Sequence, residues 1–191
     1  MKYISIFCGS SSGSDKIFAE QAASLGKTIA QRGYSIVYGG AHVGLMGQVA
    51  NGALSEGGEV IGVIPEFLKS KELEHTHLTK IHIVETMHER KALMNELCDG
   101  VIALPGGYGT MDELFEMLTW AQLALHKKPI AILNTNGYYD PLITMSETMI
   151  KNGFLKEDYQ NLLLIDGNID NLLDKMEKYI PPSNDKWFEV K

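Results

Sequence analysis

Short runs of apolar residues alternate with longer stretches of helical periodicity along most of this chain. The runs show no polar alternation, which is typical of strands that are buried on both faces of a parallel sheet. They predict six strands, at 3–8, 34–38, 60–64, 101–104, 130–133 and 162–165. The stretches between and after them predict six helices, at 15–32, 45–56, 87–99, 110–126, 141–152 and 169–179.

This alternation predicts an α/β fold, a doubly wound parallel sheet with helices on both faces. The 191 residues suit one domain, which we place at 1–180, with a peripheral tail at 181–191 whose Trp187 and Phe188 could pack onto the body. The stretch 65–79 has no clear periodicity. It is either a solvated surface loop or a lid beside a site.

Glycine-rich segments follow three of the predicted strands, at 8–13 (CGSSSG), 39–47 (GGAHVGLMG) and 105–110 (PGGYGT). In a doubly wound sheet, ligands bind in the crevice beyond the carboxyl ends of the strands. Glycine lets backbone N–H groups approach a ligand, and a helix that starts there adds N–H donors and a positive dipole end. The three loops together therefore predict a site for a phosphate or another anion.

The third loop joins a predicted strand directly to a predicted helix, and its glycine spacing matches neither the dinucleotide fingerprint nor the P-loop. A plain turn is the alternative interpretation, because Thr110 as N-cap and Glu113 three residues later fit a capping box. Upstream, Arg90 and Lys91 flank the apolar stripe of the predicted helix 87–99. Their charges either reach solvent along packed stems or face the crevice and bind an anion there. From the residues alone, Glu113 could cap the helix, pair with Arg90 or carry out acid–base chemistry.

Composition excludes several classes of function. The chain is 45% hydrophobic with a formal net charge of -7, which argues against broad binding to nucleic acid or to an anionic membrane, though not against one small phosphorylated ligand. Its two cysteines form no C-x-x-C pair. Histidines 75, 77 and 82 cluster without matching acidic or cysteine ligands, so no metal is predicted. No segment reads as a signal peptide or a membrane span, so we expect a cytoplasmic protein.

Three segments, GLMG (44–47), MHERK (87–91) and PGGYGTMDE (105–113), resemble the LONELY GUY (LOG) family of cytokinin riboside 5'-monophosphate phosphoribohydrolases, once labelled lysine decarboxylases. The resemblance covers roughly residues 4–154. It implies a Rossmann-like fold, a homodimer or dimer-based oligomer, a nucleotide monophosphate as partner and no cofactor. The older label is not supported, because a pyridoxal-phosphate enzyme needs a Schiff-base lysine and no lysine except Lys91 has a suitable setting.

By position, the resemblance implies that Arg90 and Glu113 form the catalytic pair. It also implies that the substrate is contacted by Lys91, Gly106, Gly107, Tyr108, Gly109, Thr110, Met111, Asp112 and Thr119. A family glutamate before MHERK falls on Glu72 by ungapped spacing, and Glu74 matches nearly as well.

The implied reaction is hydrolysis of the N-glycosidic bond of AMP or an N6-substituted AMP, through an oxocarbenium-like transition state beside Glu113. A non-catalytic nucleotide-binding or cofactor-carrier module with similar loops is the alternative, although a carrier has no need of a carboxylate at the ribose. A single-stranded nucleic-acid binder is disfavoured by the negative charge and the lack of a basic stripe.

Overall fold

A seven-stranded sheet, parallel between all neighbouring strands, organises the computed structural model, which describes residues 1–69 and 74–182. In chain order the strands are β1 (Tyr3–Phe7), β2 (Ser35–Tyr38), β3 (Val60–Pro65), β4 (Lys80–Val84), β5 (Gly100–Ala103), β6 (Ile130–Leu133) and β7 (Leu163–Asp166). Their spatial order is β4-β3-β2-β1-β5-β6-β7. The chain therefore winds outward from β1 on one side and from β5 on the other, which confirms the predicted doubly wound, Rossmann-like topology.

Helices connect the strands and cover both faces of the sheet. They are α1 (Lys16–Gln31), α2 (Gly44–Ser55), α3 (Glu66–Lys69), α4 (Met87–Leu97), α5 (Tyr108–Gln122), α6 (Asp140–Lys151) and α7 (Ile169–Glu177), with 3-10 helices at Thr135–Gly137 and Glu157–Leu162. Helices α1, α2 and α7 bury their apolar sides in one core layer, and α4 and α5 bury theirs in the other. None of the helices in the described ranges is long and apolar enough to cross a membrane.

All six predicted strands and all six predicted helices are present, with shifted ends. The structure adds β4 and the single-turn α3, which the sequence reasoning missed. Strand β4 forms one edge of the sheet and is only half buried, so its sequence KIHIV lacks the continuous apolar run of the inner strands. Residues 183–191 lie outside the described residues, and so does the predicted packing of Trp187 and Phe188.

The glycine-rich loops meet where the winding reverses, between β1 and β5. The N–H of Gly9 donates to the carbonyl of Pro105 at 3.0 Å, and the N–H of Leu45 donates to the carbonyl of Gly9 at 3.1 Å. Gly44 has a φ of +59°, and a Cβ there would lie 2.2 Å from the carbonyl carbon of Ser10. Only glycine fits that contact, so the loop after β2 can close onto the loop after β1.

Candidate active site

A cleft of about 350 Å³ opens at this crossing of the loops. Its floor is the end of β1 at Cys8, and one wall is the loop that leads into α5. Apolar side chains line the opposite wall, namely Met46, Leu68 and Met87. Two charged side chains, Arg90 from α4 and Glu113 from α5, border the same space. The cleft thus combines an apolar wall, a glycine-rich wall and one charge of each sign.

Helix α5 begins three residues earlier than the capping-box interpretation requires. Its N-cap is Gly107, without a side-chain cap, and its first backbone hydrogen bond runs from the N–H of Met111 to the carbonyl of Gly107 at 3.1 Å. Thr110 therefore lies inside the first turn, and the prediction that Thr110 and Glu113 form a capping box is wrong. The N–H groups of the first turn have no acceptor within the helix and lie at the cleft.

A side-chain cap of the expected kind occurs instead at the start of α4. The hydroxyl of Thr86 accepts from the N–H of Glu89 at 3.1 Å, and the Glu89 carboxylate accepts from the N–H of Glu85 at 2.9 Å. These contacts fix where α4 starts, and with it the rotation that turns Arg90 inward.

The side chain of Thr110 packs against Gly106 in the glycine loop. This side chain is buried, and a Cβ added to Gly106 would lie only 2.1 Å from its Oγ1. The hydroxyl consequently fills the space that any side chain at 106 would need, so glycine is required there. Gly107, Tyr108 and Gly109 are exposed at the mouth of the cleft, as a ligand-binding loop requires.

Arg90 is a buried cation with few hydrogen bonds. Only 6% of it is exposed. Its Nη2 donates to the carbonyl of Gly39 at 3.3 Å, and its Nη1 contacts Sδ of Met87 at 3.8 Å. Its Nε has no hydrogen-bond partner among the described residues. A buried guanidinium usually has its donors satisfied, so this group is prepared for an anionic or hydroxyl-bearing ligand in the cleft.

Glu113 lines the same cleft as this cation and is half buried in the second turn of α5. The charges of both groups affect the pKa of the Cys8 thiol. Burial raises the pKa of Cys8 well above its ordinary range, the Glu113 carboxylate raises it further, and the Arg90 guanidinium opposes that rise. The cysteine therefore stays protonated, and the two charges act on one small volume, as the predicted catalytic pair must.

Lys91 and Asp112, which the resemblance assigns to substrate contact, form an ion pair with each other, and Asp112 also lines the cleft. The Lys91 Nζ lies 3.0 Å from Asp112 and 3.2 Å from Glu116. Burial lowers the pKa of Lys91, but its hydrogen bonds to these two carboxylates outweigh that effect and raise the pKa. A Schiff-base lysine needs a lowered pKa, and none of the described residues that line the cleft is a lysine.

Four further expected contacts lie away from the cleft or outside the described residues. Thr119 borders an apolar groove on the far side of α5 and donates to the carbonyl of Phe115 at 2.7 Å. Met111 packs against the core layer beneath α5. Glu72 lies outside the described residues. Its alternative, Glu74, forms an ion pair with Lys69 at 3.7 Å in a separate pocket.

Ordinary hydrogen bonds account for His75 and His77, whereas Nε2 of His82, on β4, has no partner among the described residues. The two ring nitrogens of His75 contact Oδ1 of Asn51 at 3.0 Å and the N–H of His77 at 3.2 Å. Within residues 1–69 and 74–182, no three histidine, cysteine or acidic side chains converge as a metal site would require.

Several residues that line the cleft were not named individually as site residues, although all except Leu68 lie in the glycine-rich or family-motif segments singled out from the sequence: Cys8, Ser10, Met46, Leu68 and Met87. The first two stand in the glycine-rich segment 8–13, so the strand-end rule could have named them. The apolar wall gave no such signal, because methionine and leucine at helical spacing look like core residues.

The family of the chain follows from comparison with known proteins. A family model described as "Possible lysine decarboxylase" matches residues 46–176. A protein of Oryza sativa subsp. japonica named "Probable cytokinin riboside 5'-monophosphate phosphoribohydrolase LOGL1" is 46% identical over 176 residues, covering 92% of this chain and 79% of the relative. The "Cytokinin riboside 5'-monophosphate phosphoribohydrolase" of Rhodococcoides fascians is 45% identical over 173 residues, covering 90% and 87%.

A more distant likeness concerns the fold alone. The molybdenum cofactor binding protein from Rippkaea orientalis superimposes with a TM-score of 0.69 over 93% of this chain and 96% of that one, at 21% identity. The family model covers most of the chain, and the curated relatives align with nearly all of it. The chain belongs to the LOG family, whose family model still carries the lysine decarboxylase description.

Proposed function

We propose that this chain hydrolyses the N-glycosidic bond of adenosine 5'-monophosphates, with or without an N6 substituent, to the free base and ribose 5-phosphate. The observation that carries the proposal is the buried Arg90, whose Nε has no partner among the described residues, in the same cleft as Glu113 and the first turn of α5. The names of the curated relatives support the same reaction.

The phosphate is held at the glycine-rich wall. Backbone N–H groups of Gly107, Tyr108, Gly109 and Thr110 surround the start of α5, where the helix dipole favours negative charge. Binding energy from the phosphate helps the remote ribose reach its transition state. Nucleosides that lack the phosphate are therefore expected to be poor substrates.

Glu113 acts at the ribose. As the C1'–N9 bond breaks, positive charge grows on the sugar ring, and a nearby carboxylate stabilises it. Glu113 also takes a proton from the attacking water as the hydroxyl adds to C1', and a proton is returned to the departing base. Arg90 orients the ribose and favours the ionised form of Glu113 by its opposite charge.

Lys91 and Asp112 act on the site through α5. Their ion pair, together with Glu116, ties α4 to the second and third turns of α5. It thereby holds the two helices that carry Arg90 and Glu113 in one arrangement.

The assembly we propose is a homodimer joined through the apolar groove beside α5 and α6. The groove has a volume of about 240 Å³, and its lip carries Phe154, which is 87% exposed. An exposed apolar surface of this kind is typical of a protein–protein contact. Thr119 lies in this groove, so its assigned substrate contact would require the second copy. We also place the protein in the cytoplasm, where its two free buried cysteines would stay reduced.

The proposal is tested by incubating the purified protein with AMP, N6-isopentenyl-AMP and the two matching nucleosides, and following free base by chromatography. Base release from the nucleotides, with little from the nucleosides, is the expected result, and the ratio of the two nucleotide rates identifies the preferred base. Tight nucleotide binding without base release would instead indicate a carrier.

A further inference from the structure

The carbonyl groups of the loop before α5 are all bound by donors from the protein. The hydroxyl of Tyr139 donates to the carbonyl of Leu104 at 2.7 Å, and the N–H of Gly9 donates to that of Pro105 at 3.0 Å. The hydroxyl of Tyr138 donates to the carbonyl of Gly106 at 2.6 Å. Three consecutive carbonyl dipoles, each of which would repel an anion, are thus held by fixed partners.

The contact at Gly106 has a direct consequence for the next N–H. In a trans peptide unit the C=O and N–H point in opposite directions. A hydroxyl that holds the Gly106 carbonyl therefore turns the Gly107 N–H away from Tyr138. Tyr138 borders a second pocket, and Gly107 lines both that pocket and the cleft where Arg90 and Glu113 lie. Because the Gly107 N–H is turned away from Tyr138, the cleft is the space that it can serve as a donor.

The segment that carries the two tyrosines is held in an unusual backbone conformation. Asn136 has a φ of +52° and Gly137 a φ of +71°. The Asn134 side chain accepts from the N–H of Tyr139 at 2.8 Å and donates to Asp140 at 2.7 Å. Such strain persists where the surroundings fix it, often beside a functional site.

Aromatic contacts fix the ring of Tyr138 as well. It meets the ring of Phe18 edge-on, with centroids 5.9 Å apart, and the ring of Tyr139 at 5.1 Å. The two tyrosines nevertheless differ in surroundings. Tyr139 is 1% exposed and belongs to the core, whereas Tyr138 is 40% exposed, so its hydroxyl can be removed without opening a cavity.

We propose that Tyr138 is a positioning residue for the phosphate group of the substrate. It acts through the Gly106 carbonyl, which it keeps turned away from the bound anion, so that the Gly107 N–H remains available as a donor. The proposal rests on the proposed function only in taking a nucleotide 5'-phosphate as the ligand.

The test is the variant Tyr138→Phe, which keeps the ring and removes the hydroxyl. We expect the KM for AMP to rise about tenfold, with kcat changed less than twofold, since a lost hydrogen bond to a binding loop removes uniform binding. The Kd for ribose 5-phosphate, measured by calorimetry, should rise by the same factor, while the Kd for adenosine stays unchanged.

Tyr34→Phe is the matched control, because its hydroxyl also donates a single hydrogen bond, at 2.7 Å, from the turn after α1 to Glu177 at the end of α7. It should leave every one of these constants unchanged. An unchanged Kd for ribose 5-phosphate in Tyr138→Phe, or an equal loss for adenosine, would overturn the proposal. The calorimetric comparison does not need turnover, so failure of the proposed hydrolysis and failure of the Tyr138 role remain distinguishable.

Discussion

Helix α5 borders two concave regions of very different character. At its N-terminal end lies the cleft, with glycine N–H groups, a buried cation and a carboxylate. Along its C-terminal half lies the groove, lined mainly by apolar side chains such as Phe115, Leu118 and Phe154. Thr119, one of the polar residues that α5 contributes to the groove, already donates its hydroxyl hydrogen to a backbone carbonyl. Arg90 in the cleft, by contrast, has a donor, Nε, without a partner among the described residues.

This difference supports the proposed division between a surface for association and a site for chemistry. Apolar area stabilises contact with another apolar surface but supplies no proton transfer and no charge. A buried charge with unmet hydrogen bonds is costly unless a ligand satisfies it. We therefore base the proposal that the reaction takes place in the cleft on the unpartnered Nε donor of Arg90 rather than on the size or apolarity of a pocket.

The largest expected effect comes from removing that charge. Arg90→Met fits among the neighbouring methionines, and buried ionic groups can be replaced by apolar ones at little cost in stability. We expect kcat for base release to fall about 10²–10³-fold with an unchanged melting temperature. Lys91→Met, which removes the adjacent cation from its ion pairs with Asp112 and Glu116, should cost far less activity. Equal losses of kcat in Arg90→Met and Lys91→Met would contradict a special role for the buried Arg90 in the cleft.

A smaller effect is expected from Gly39→Ala, which displaces Arg90 without removing it. A Cβ at Gly39 would lie 1.9 Å from Arg90 Nη2, so the guanidinium must move. We expect kcat/KM for AMP to fall about tenfold, since overpacking of this kind costs about 1–3 kcal/mol. The control is Gly167→Ala, whose added Cβ would meet its nearest atom at 3.6 Å. Wild-type kinetics for Gly39→Ala would show that the position of Arg90 does not matter.

The groove is tested by Phe154→Asp, which places a charge on its apolar lip. We expect light scattering to change from the mass of a dimer to that of one chain. Base release should fall by only a few fold, because Arg90, Glu113 and the glycine loop all come from a single chain. Ile180→Asp is the matched control, since Ile180 is 85% exposed but lies outside the groove. A dimer that persists in Phe154→Asp would place the contact on another surface.

The smallest effect concerns acid stability and involves neither region directly. The two ring nitrogens of His126 contact the carbonyl of Met117 at 3.0 Å and the N–H of Lys128 at 3.2 Å, an arrangement that needs the neutral ring. Burial lowers the pKa of His126 below its ordinary value of 6.5. The unfolded chain therefore binds more protons, so the free energy of unfolding should fall as pH drops below 6.5.

Urea unfolding at pH 7.5 and at pH 5 measures that dependence. His126→Gln should reduce the difference between the two pH values, whereas the exposed His88→Gln should leave it as in the parent protein. An identical change in the free energy of unfolding between the two pH values in the parent protein and in His126→Gln would show that His126 does not contribute to the acid sensitivity.

Much of the fold could be predicted because inner parallel strands bury both faces and read as unbroken apolar runs. The edge strand β4 could not, since half of its surface is exposed and Lys80 and His82 interrupt the pattern. The start of α5 was misplaced for a related reason. Thr110 and Glu113 carry the local features of a capping box, but the loop geometry begins the helix at Tyr108 and buries Thr110 under Gly106.

The site divides in the same way. The glycine loops could be named from their place at strand ends. Arg90 and Glu113 could be singled out on their helix faces, but only the resemblance assigned them as a catalytic pair. The surroundings of Lys91 and Thr119 could not be predicted from their positions in the sequence. Folding brings Asp112 next to Lys91 and places Thr119 in the groove, and spacing along the chain indicates neither. The role of Tyr138 could not be predicted, since nothing in the sequence relates it to the Gly106 carbonyl.

The most direct test of the central claim measures AMP binding and base release in one preparation of Glu113→Gln. We expect Glu113→Gln to bind AMP with nearly the parent affinity, because its phosphate loop is intact, while its rate of base release falls about 10²–10⁴-fold. Base release close to that of the parent protein would contradict the account, since the carboxylate would then have no part in the chemistry.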